Sequence, residues 1–325
     1  MHAEQLGLEG MPRRLYACTP SRLNSWLDCP RRYRFTYLDR PAPAKGPPWA
    51  HHSLGSSVHN ALRSWWDVPL AGRTPRTAGD LVESGWLTDG YRDQAQSASV
   101  LSRARAMVER YTSRLDPAVE PRAVERTVAT KTETLALSGR VDRVDHRPDL
   151  GRLGPTSGEA EVGEAEVGEA EVGEAEVGEA EVGGPPGGEL VVVDYKTGRA
   201  RLTADDARGS LALAVYVLGV RRTLRASCRR VELHHLPTGD VAGFDHTQAS
   251  LGRHLGRAES IAAEAGAADL VYRSAAAGEA DLDVVFPARP GPMCGWCDFQ
   301  QQCPQGLAAA RPRRPWDGVE ELALE

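Results

Sequence analysis

The chain has 325 residues, of which 41% are hydrophobic and 26% are charged. This balance is typical of a folded globular protein and argues against a disordered chain. No apolar stretch approaches the roughly 20 residues of a membrane-spanning helix, and the N-terminus lacks the basic start and apolar core of a signal peptide. We therefore expect a cytoplasmic protein with one large domain or two small ones.

The net charge of −6 comes from one acidic segment, and the rest of the chain is mildly basic. Residues 158–182 are five copies of Gly-Glu-Ala-Glu-Val, with ten glutamates and no cation, so the charge without them is +4. A period of five fits neither helix nor strand, and the glutamates repel one another, so we predict a disordered acidic insertion over residues 158–187. Replication slippage without function and an acidic mimic of nucleic acid are the two interpretations.

The other elements follow in chain order. We expect residues 1–18 to be a flexible leader, and Thr19-Pro20 to begin a helix, because proline suits a first helical turn. Apolar spacing predicts the later helices, and short apolar runs predict the strands. The helices are predicted near 55–66, 97–115, 204–222 and 248–265, the strands at 122–129, 132–138, 139–146, 189–195, 230–236 and 240–246, and a disordered tail at 306–325.

The most informative motif is the apolar run that ends in Asp194-Tyr195-Lys196. Side chains alternate along a strand, so Asp194 and Lys196 point to the same face. A carboxylate that holds a hard cation, beside an amine that orients a water or a phosphate, is half of a metal-dependent hydrolytic site. Lys196 is also one of only three lysines among 39 basic residues. A local ion pair at a strand end is the alternative interpretation.

Asp142 is the second candidate carboxylate, in Gly139-Arg-Val-Asp142. Its strand is joined to the strand of Asp194 through the acidic insertion, so the two strands are predicted to be antiparallel neighbours. Two carboxylates that face solvent together form a Mg²⁺ or Mn²⁺ site, because these ions prefer oxygen ligands. His59, on a nearby helix, would add a nitrogen ligand, although alone it would be an ordinary polar helix residue.

Six cysteines give independent evidence, and Cys294, Cys297 and Cys303 have C-x2-C-x5-C spacing. In a cytoplasmic chain, clustered cysteines indicate a metal rather than a disulfide. Cys29, followed by proline like Cys303, is the candidate fourth ligand. Four thiolates suit zinc or a cubane iron–sulfur cluster, and the presence of one CxxC knuckle rather than two favours the cluster. Such a centre would tie the two ends of the chain together.

Over most of residues 19–305 the chain resembles RecB-family nucleases of the PD-(D/E)XK superfamily. The resemblance depends on the shared order of several short motifs. These are Cys29-Pro-Arg-Arg-Tyr, Gly55-x-x-x-His59, Gly139-Arg-Val-Asp142, Val193-Asp194-Tyr195-Lys196-Thr197-Gly198, Tyr216 in the next helix, and the cysteine-rich segment 291–305. Cas4 proteins and the nuclease domain of AddB are similar in the same way, including an iron–sulfur staple.

The resemblance implies a restriction-endonuclease-like α/β fold, with a mixed central sheet flanked by helices and the site at one sheet edge. A small iron–sulfur cap would join the N- and C-terminal segments. It also implies a Mg²⁺- or Mn²⁺-dependent deoxyribonuclease that leaves a 5′-phosphate and a 3′-hydroxyl. In that family pattern Lys196 would orient the attacking water and Tyr216 would position the substrate. The divalent cation would be held by His59, Asp142, Asp194 and the Tyr195 carbonyl, and a [4Fe-4S] cluster by Cys29, Cys294, Cys297 and Cys303.

Some positions depart from the family or stay open. The family often has glutamine four residues before the tyrosine of the helix after the lysine, and Ala212 stands there. We take Glu125, in the strand before Asp142, as a surface or structural residue, with a supporting role at the site as the alternative. The basic segment Arg31–Arg34 is interpreted either as a phosphate-binding surface or as solvated helix.

We expect an exonuclease on single-stranded DNA ends in repair or recombination. No Gly-x-x-x-x-Gly-Lys-Ser/Thr motif occurs, so processive unwinding would need a partner helicase. Two other interpretations stay open: a non-catalytic iron–sulfur module that binds DNA or assembles with a helicase, and a nuclease that acts on RNA.

Overall fold

A computed structural model describes residues 15–148, 188–274 and 281–319. Its six strands form one mixed sheet. They are β1 (Tyr16–Cys18), β2 (Ala123–Lys131), β3 (Leu135–Pro148), β4 (Gly188–Lys196), β5 (Cys228–His235) and β6 (Asp240–Asp245). The sheet order is β1-β3-β4-β5-β6, and β2 pairs with β3.

Ten α-helices surround this sheet within the described ranges. They are α1 (Pro20–Asp28), α2 (Pro30–Tyr37), α3 (Ala50–Asp67), α4 (Pro75–Ser84), α5 (Gln94–Thr112), α6 (Ala204–Gly209), α7 (Leu211–Leu224), α8 (Gln248–Ser274), α9 (Leu282–Val285) and α10 (Pro304–Ala309). No helix in this part of the chain combines the length and apolar character needed to cross a membrane.

Strand β3 is the centre of the sheet and changes partner along its length. Its first residues, 135–137, pair with β1 in parallel, and residues 143–148 pair with β4 in antiparallel orientation. On its other side it pairs with β2 along most of its length. Residues 138–142 therefore lie where neither β1 nor β4 is paired with β3. Asp142 is the last of them and lies at the fork between β3 and β4.

The apolar run of β4 is buried on both faces, as expected of an internal strand. Val191 and Val193 pack with α3, α4 and α5, whereas Leu190 and Val192 pack with α7 and β5. A third cluster joins α1 and α8 to β1 and the start of β3. The sheet thus has helices on both faces, and the predicted mixed α/β architecture is confirmed.

Several predicted boundaries need correction. The runs 132–138 and 139–146 form one strand, because the strand continues through Gly139 where the ring of Tyr216 covers the backbone. Residues 16–18 of the predicted leader form β1, which is held by its pairing with β3. The predicted helix 204–222 is two helices, because Ser210 is extended and caps the second one.

The predicted disordered tail is also wrong for residues 306–319. Residues 304–309 form α10, and the following residues return to the N-terminus of α3, where the Ala50 amide donates to the Pro315 carbonyl at 3.0 Å. Val319 is buried among the residues of α3 and α5. The acidic repeat lies outside the described residues.

Candidate active site

The site begins where β3 and β4 diverge. Arg143 pairs with Val193 in this antiparallel ladder, so the next residues outward, Asp142 and Asp194, stand opposite each other on one face. The Tyr195 amide donates to Asp142 Oδ2 at 2.8 Å, which fixes the carboxylate beside β4. The two carboxylates that the sequence singled out are therefore neighbours. Both strands are interior, so the site does not lie on an outer edge strand.

Helix α3 brings His59 to the same place. His59 Nδ1 lies 3.4 Å from Asp142 Oδ1, and its ring packs edge-on against Tyr195 at 5.7 Å between centroids. The helix approaches β4 at Gly55, where a Cβ would make an ordinary contact with Thr197 Oγ1 at 3.6 Å. His59 lies one turn further along α3 and reaches Asp142 from there.

Lys196 and Asp194 point to the same face, as strand alternation predicts. Lys196 Nζ lies 2.5 Å from Asp194 Oδ2, with the lysine about half exposed and the aspartate largely buried. The ammonium thus stands at the solvent side of the carboxylates. The contact is also the ion pair that the alternative interpretation expects.

The electrostatics show that negative charge is concentrated here. Burial and the neighbouring Asp142 raise the pKa of Asp194, against the opposing effect of Lys196. Burial and Asp142 also raise the pKa of Glu125. Burial alone would lower the pKa of His59, but its hydrogen bond to Asp142 and the surrounding carboxylates raise it overall. A cation would relieve this repulsion, so the donor set fits a divalent metal ion.

Glu125 is the residue that the sequence interpretation undervalued. One ligand atom each from His59, Glu125 and Asp142 lies within 4.8 Å of the others, and no other such group occurs among the described residues. Asp194 is not part of this group. The signal in the sequence is the β2–β3 hairpin, which turns at residues 132–135, whereas the register that sets Glu125 opposite Asp142 comes from the structure.

Tyr216 lies at the rim of the site and depends on Gly139. A Cβ on Gly139 would come within 2.4 Å of Tyr216 Cε1, so only glycine leaves room for the ring. Burial, together with the charges of Asp194 and Asp142, raises the pKa of Tyr216 to about 12. Its hydroxyl therefore stays protonated at neutral pH and remains a hydrogen-bond donor. Ala212, four residues earlier on α7, provides no such donor.

The buried guanidinium of Arg143 supports the fork between β3 and β4. Arg143 is 2% exposed, donates to the hydroxyls of Tyr111 and Tyr195 at 3.0 Å each, and pairs with Asp145 at 2.8 Å. Buried charge is tolerated when it is paired in this way. These contacts hold Tyr195, and therefore the amide that binds Asp142, in place.

Comparison with known proteins identifies the family. The model of the PD-(D/E)XK nuclease superfamily matches residues 17–153 and 182–304, which is most of the chain. The chain belongs to the PD-(D/E)XK nuclease superfamily. Nucleases of this superfamily use divalent metals, in agreement with the acidic group described above.

Other comparisons are more distant. A crystal structure from Eubacterium rectale, described as a "putative exonuclease", shares 12% sequence identity with this nuclease and has a TM-score of 0.42. The alignment covers 93% of each chain. No curated protein sequence matches the chain.

The four candidate cluster cysteines line one cavity of about 320 Å³, between α2 and the C-terminal segment. Backbone amides donate to two of the sulfurs, from Gly291 to Cys294 at 3.4 Å and from Gly306 to Cys303 at 3.3 Å. Among the described residues, no three thiol sulfurs approach within the 4.8 Å that the acidic group satisfies.

The basic segment Arg31–Arg34 is not a free phosphate-binding surface. Arg31 is 6% exposed and donates to Gln305 at 2.6 Å. Arg31 and Arg34 both pair with Asp283, at 3.0 and 3.6 Å. The segment instead fastens α2 to the chain that leads into the cysteine-rich end.

The cysteine-rich end also fastens the helix that carries His59. The Trp49 indole donates to Asp298 Oδ1 at 2.7 Å, one residue after Cys297. The Trp49 ring also packs against Trp296 with centroids 5.2 Å apart. The cysteine-rich end of the chain and the N-terminus of α3 are therefore joined directly.

Proposed function

We propose that this chain is a Mg²⁺- or Mn²⁺-dependent deoxyribonuclease that hydrolyses phosphodiester bonds. The observation that carries the proposal is the convergence of His59, Asp142 and Asp194 with Lys196 at the fork of β3 and β4. A non-catalytic module would have no need to keep these four groups together. Membership of the PD-(D/E)XK nuclease superfamily supports the nuclease chemistry and a DNA substrate.

Each residue has a distinct task in this proposal. His59, Asp142, Asp194 and the Tyr195 carbonyl would bind the cation, which when bound polarises the phosphate and acidifies a water. Lys196 would orient the attacking water and stabilise charge on the phosphate, because its ammonium is half exposed beside Asp194. The Tyr216 hydroxyl would donate to a phosphate oxygen. The expected products carry a 5′-phosphate and a 3′-hydroxyl.

The decisive test is cleavage of labelled DNA by Lys196→Ala in the presence of Mg²⁺. We expect a loss of about 10²- to 10⁴-fold, the range for one positioned catalytic group. Lys131→Ala is the matched control, since Lys131 is exposed at the end of β2 and away from the fork. Activity of Lys196→Ala equal to that of Lys131→Ala would refute the site.

The same assay addresses the competing interpretations. Metal-independent binding of DNA without cleavage by the wild type would favour the non-catalytic module. Substrates labelled at the 5′ or 3′ end, single- or double-stranded and of DNA or RNA, would test our proposal of an exonuclease on single-stranded DNA ends. A role in repair or recombination and a helicase partner remain predictions.

We also propose that Cys29, Cys294, Cys297 and Cys303 hold a [4Fe-4S] cluster in the cavity that they line. The position of all four cysteines around one cavity and the amide donors to Cys294 and Cys303 support this proposal. Anaerobic purification with iron and sulfide analysis is the test, with about four of each expected per chain. Cys297→Ala should lose this iron, whereas Cys228→Ala, a core substitution, should keep it. Equal iron content in the two variants would exclude the cluster.

A further inference from the structure

Glu125 lies directly opposite Asp142 across the β2–β3 pair. The residues on either side of Glu125 pair with the residues on either side of Asp142, so the two carboxylates share one face of the sheet. Asp194 stands opposite Asp142 on the next strand. Three carboxylates therefore form a row across three neighbouring strands, with His59 packed over it from α3.

Like charges directly opposite each other destabilise a sheet, so the three carboxylates need positive charge nearby. Lys196 is paired with Asp194 at the far end of the row. The ion-pair partner of Glu125 is Arg140, whose Nη1 lies 3.7 Å from Oε2 and which is 64% exposed. An exposed pair at this distance contributes little. His59 and Arg63 are further positive groups near Glu125.

The backbone of Glu125 is also unusual. Its φ is +47°, in the left-handed region that favours glycine, and the register skips it although the flanking residues are paired. A glycine would adopt this conformation without strain, yet the position carries a glutamate whose side chain is 19% exposed. Its carboxylate oxygen lies within 4.8 Å of the ligand atoms of His59 and Asp142.

We propose that Glu125 is a ligand of the divalent cation, together with His59 and Asp142. This inference rests on the proposed function, since the superfamily chemistry supplies the cation. Two carboxylates and one imidazole form an oxygen-rich donor set that suits Mn²⁺ or Mg²⁺. Asp142 then lies at the centre of the row, between Glu125 and Asp194.

The test measures Mn²⁺ binding to the full chain without DNA, by calorimetry or by the signal of free Mn²⁺ in electron paramagnetic resonance. Glu125→Gln keeps the size of the side chain and removes its charge, and it should weaken Mn²⁺ binding by at least about tenfold. Glu125→Gly should weaken binding similarly, while the metal-free protein stays at least as resistant to urea, because glycine relieves the strained φ. If Glu125 had only a structural role, its replacement by glycine would not lower the Mn²⁺ affinity while leaving the stability in urea intact.

Two matched controls sharpen the result. Glu133→Gln, in the exposed β2–β3 turn, should leave the affinity unchanged. Arg140→Gln should not weaken binding, whereas it should resemble Glu125→Gln if Glu125 only served that ion pair. Wild-type Mn²⁺ affinity in Glu125→Gln, beside clear loss in Asp142→Asn, would overturn the proposal.

The outcomes also separate this inference from the proposed function. A wild type that binds Mn²⁺ through Glu125 but cleaves no nucleic acid would support the ligand and refute the nuclease. A wild type that cleaves DNA, with Glu125→Gln binding Mn²⁺ normally, would refute the ligand and leave the nuclease intact.

Discussion

Replacing Gly139 by alanine tests the packing that places Tyr216 at the site. In a strand, alanine ordinarily stabilises by about 0.5–1 kcal/mol relative to glycine. Here the new Cβ would stand 2.4 Å from Tyr216 Cε1, so the ring or the strand must move by about 1 Å to reach an ordinary carbon contact. We expect a net loss of about 1–3 kcal/mol in the free energy of unfolding, the range for overpacking.

A double-mutant cycle in urea isolates this contact. Tyr216→Ala removes the ring, so Gly139→Ala should cost little or become stabilising in that background, with a coupling of about 1–3 kcal/mol. Tyr216→Phe keeps the ring and should leave the cost of Gly139→Ala unchanged. If Gly139→Ala costs the same in all three backgrounds, the contact between the strand and the ring does not explain the glycine.

Two further predictions concern pH and the acidic repeat. His246 is 1% exposed, and burial is the main cause that lowers its pKa from 6.5 to about 4. The unfolded chain then binds the proton first, so stability should fall as pH drops from 6.5 to 4, by on the order of 3 kcal/mol from this group. In urea titrations His246→Phe should flatten this fall; an unchanged slope would contradict it. Deleting residues 158–182 should leave the fold intact, because Pro148 and Gly188 are paired at the ends of β3 and β4. Shortening the 39-residue connection to 14 should add about 0.9 kcal/mol of stability. Unfolding of the deletion variant would refute this, and unchanged DNA affinity would exclude the acidic mimic.

Structural features that depend on consecutive residues could be predicted from the sequence. The alternation of β4 predicted that Asp194 and Lys196 share a face, and the structure confirms it. The helix start predicted at Thr19-Pro20 is likewise real, since the Thr19 side chain caps α1. These features depend on backbone geometry within a few residues, so no tertiary information is needed to predict them.

The predicted boundaries of strands and of the disordered tail were wrong where residues distant in sequence decide them. Gly139 interrupts a β pattern in sequence, but the strand continues because the ring of Tyr216 covers it. The end of the chain looks disordered by composition, yet Val319 is buried because α3 and α5 offer an apolar surface. Composition does not reveal the presence of such a partner.

The sequence by itself determined which groups are available for chemistry: the acids, the imidazole, the amine and the four thiols. Only the tertiary structure decided their relation, because the register of β2, β3 and β4 and the close approach of α3 set the distances between them. Glu125 shows the difference most clearly. A one-residue shift of the β2–β3 register would turn it to the other face of the sheet, and the actual register places it opposite Asp142.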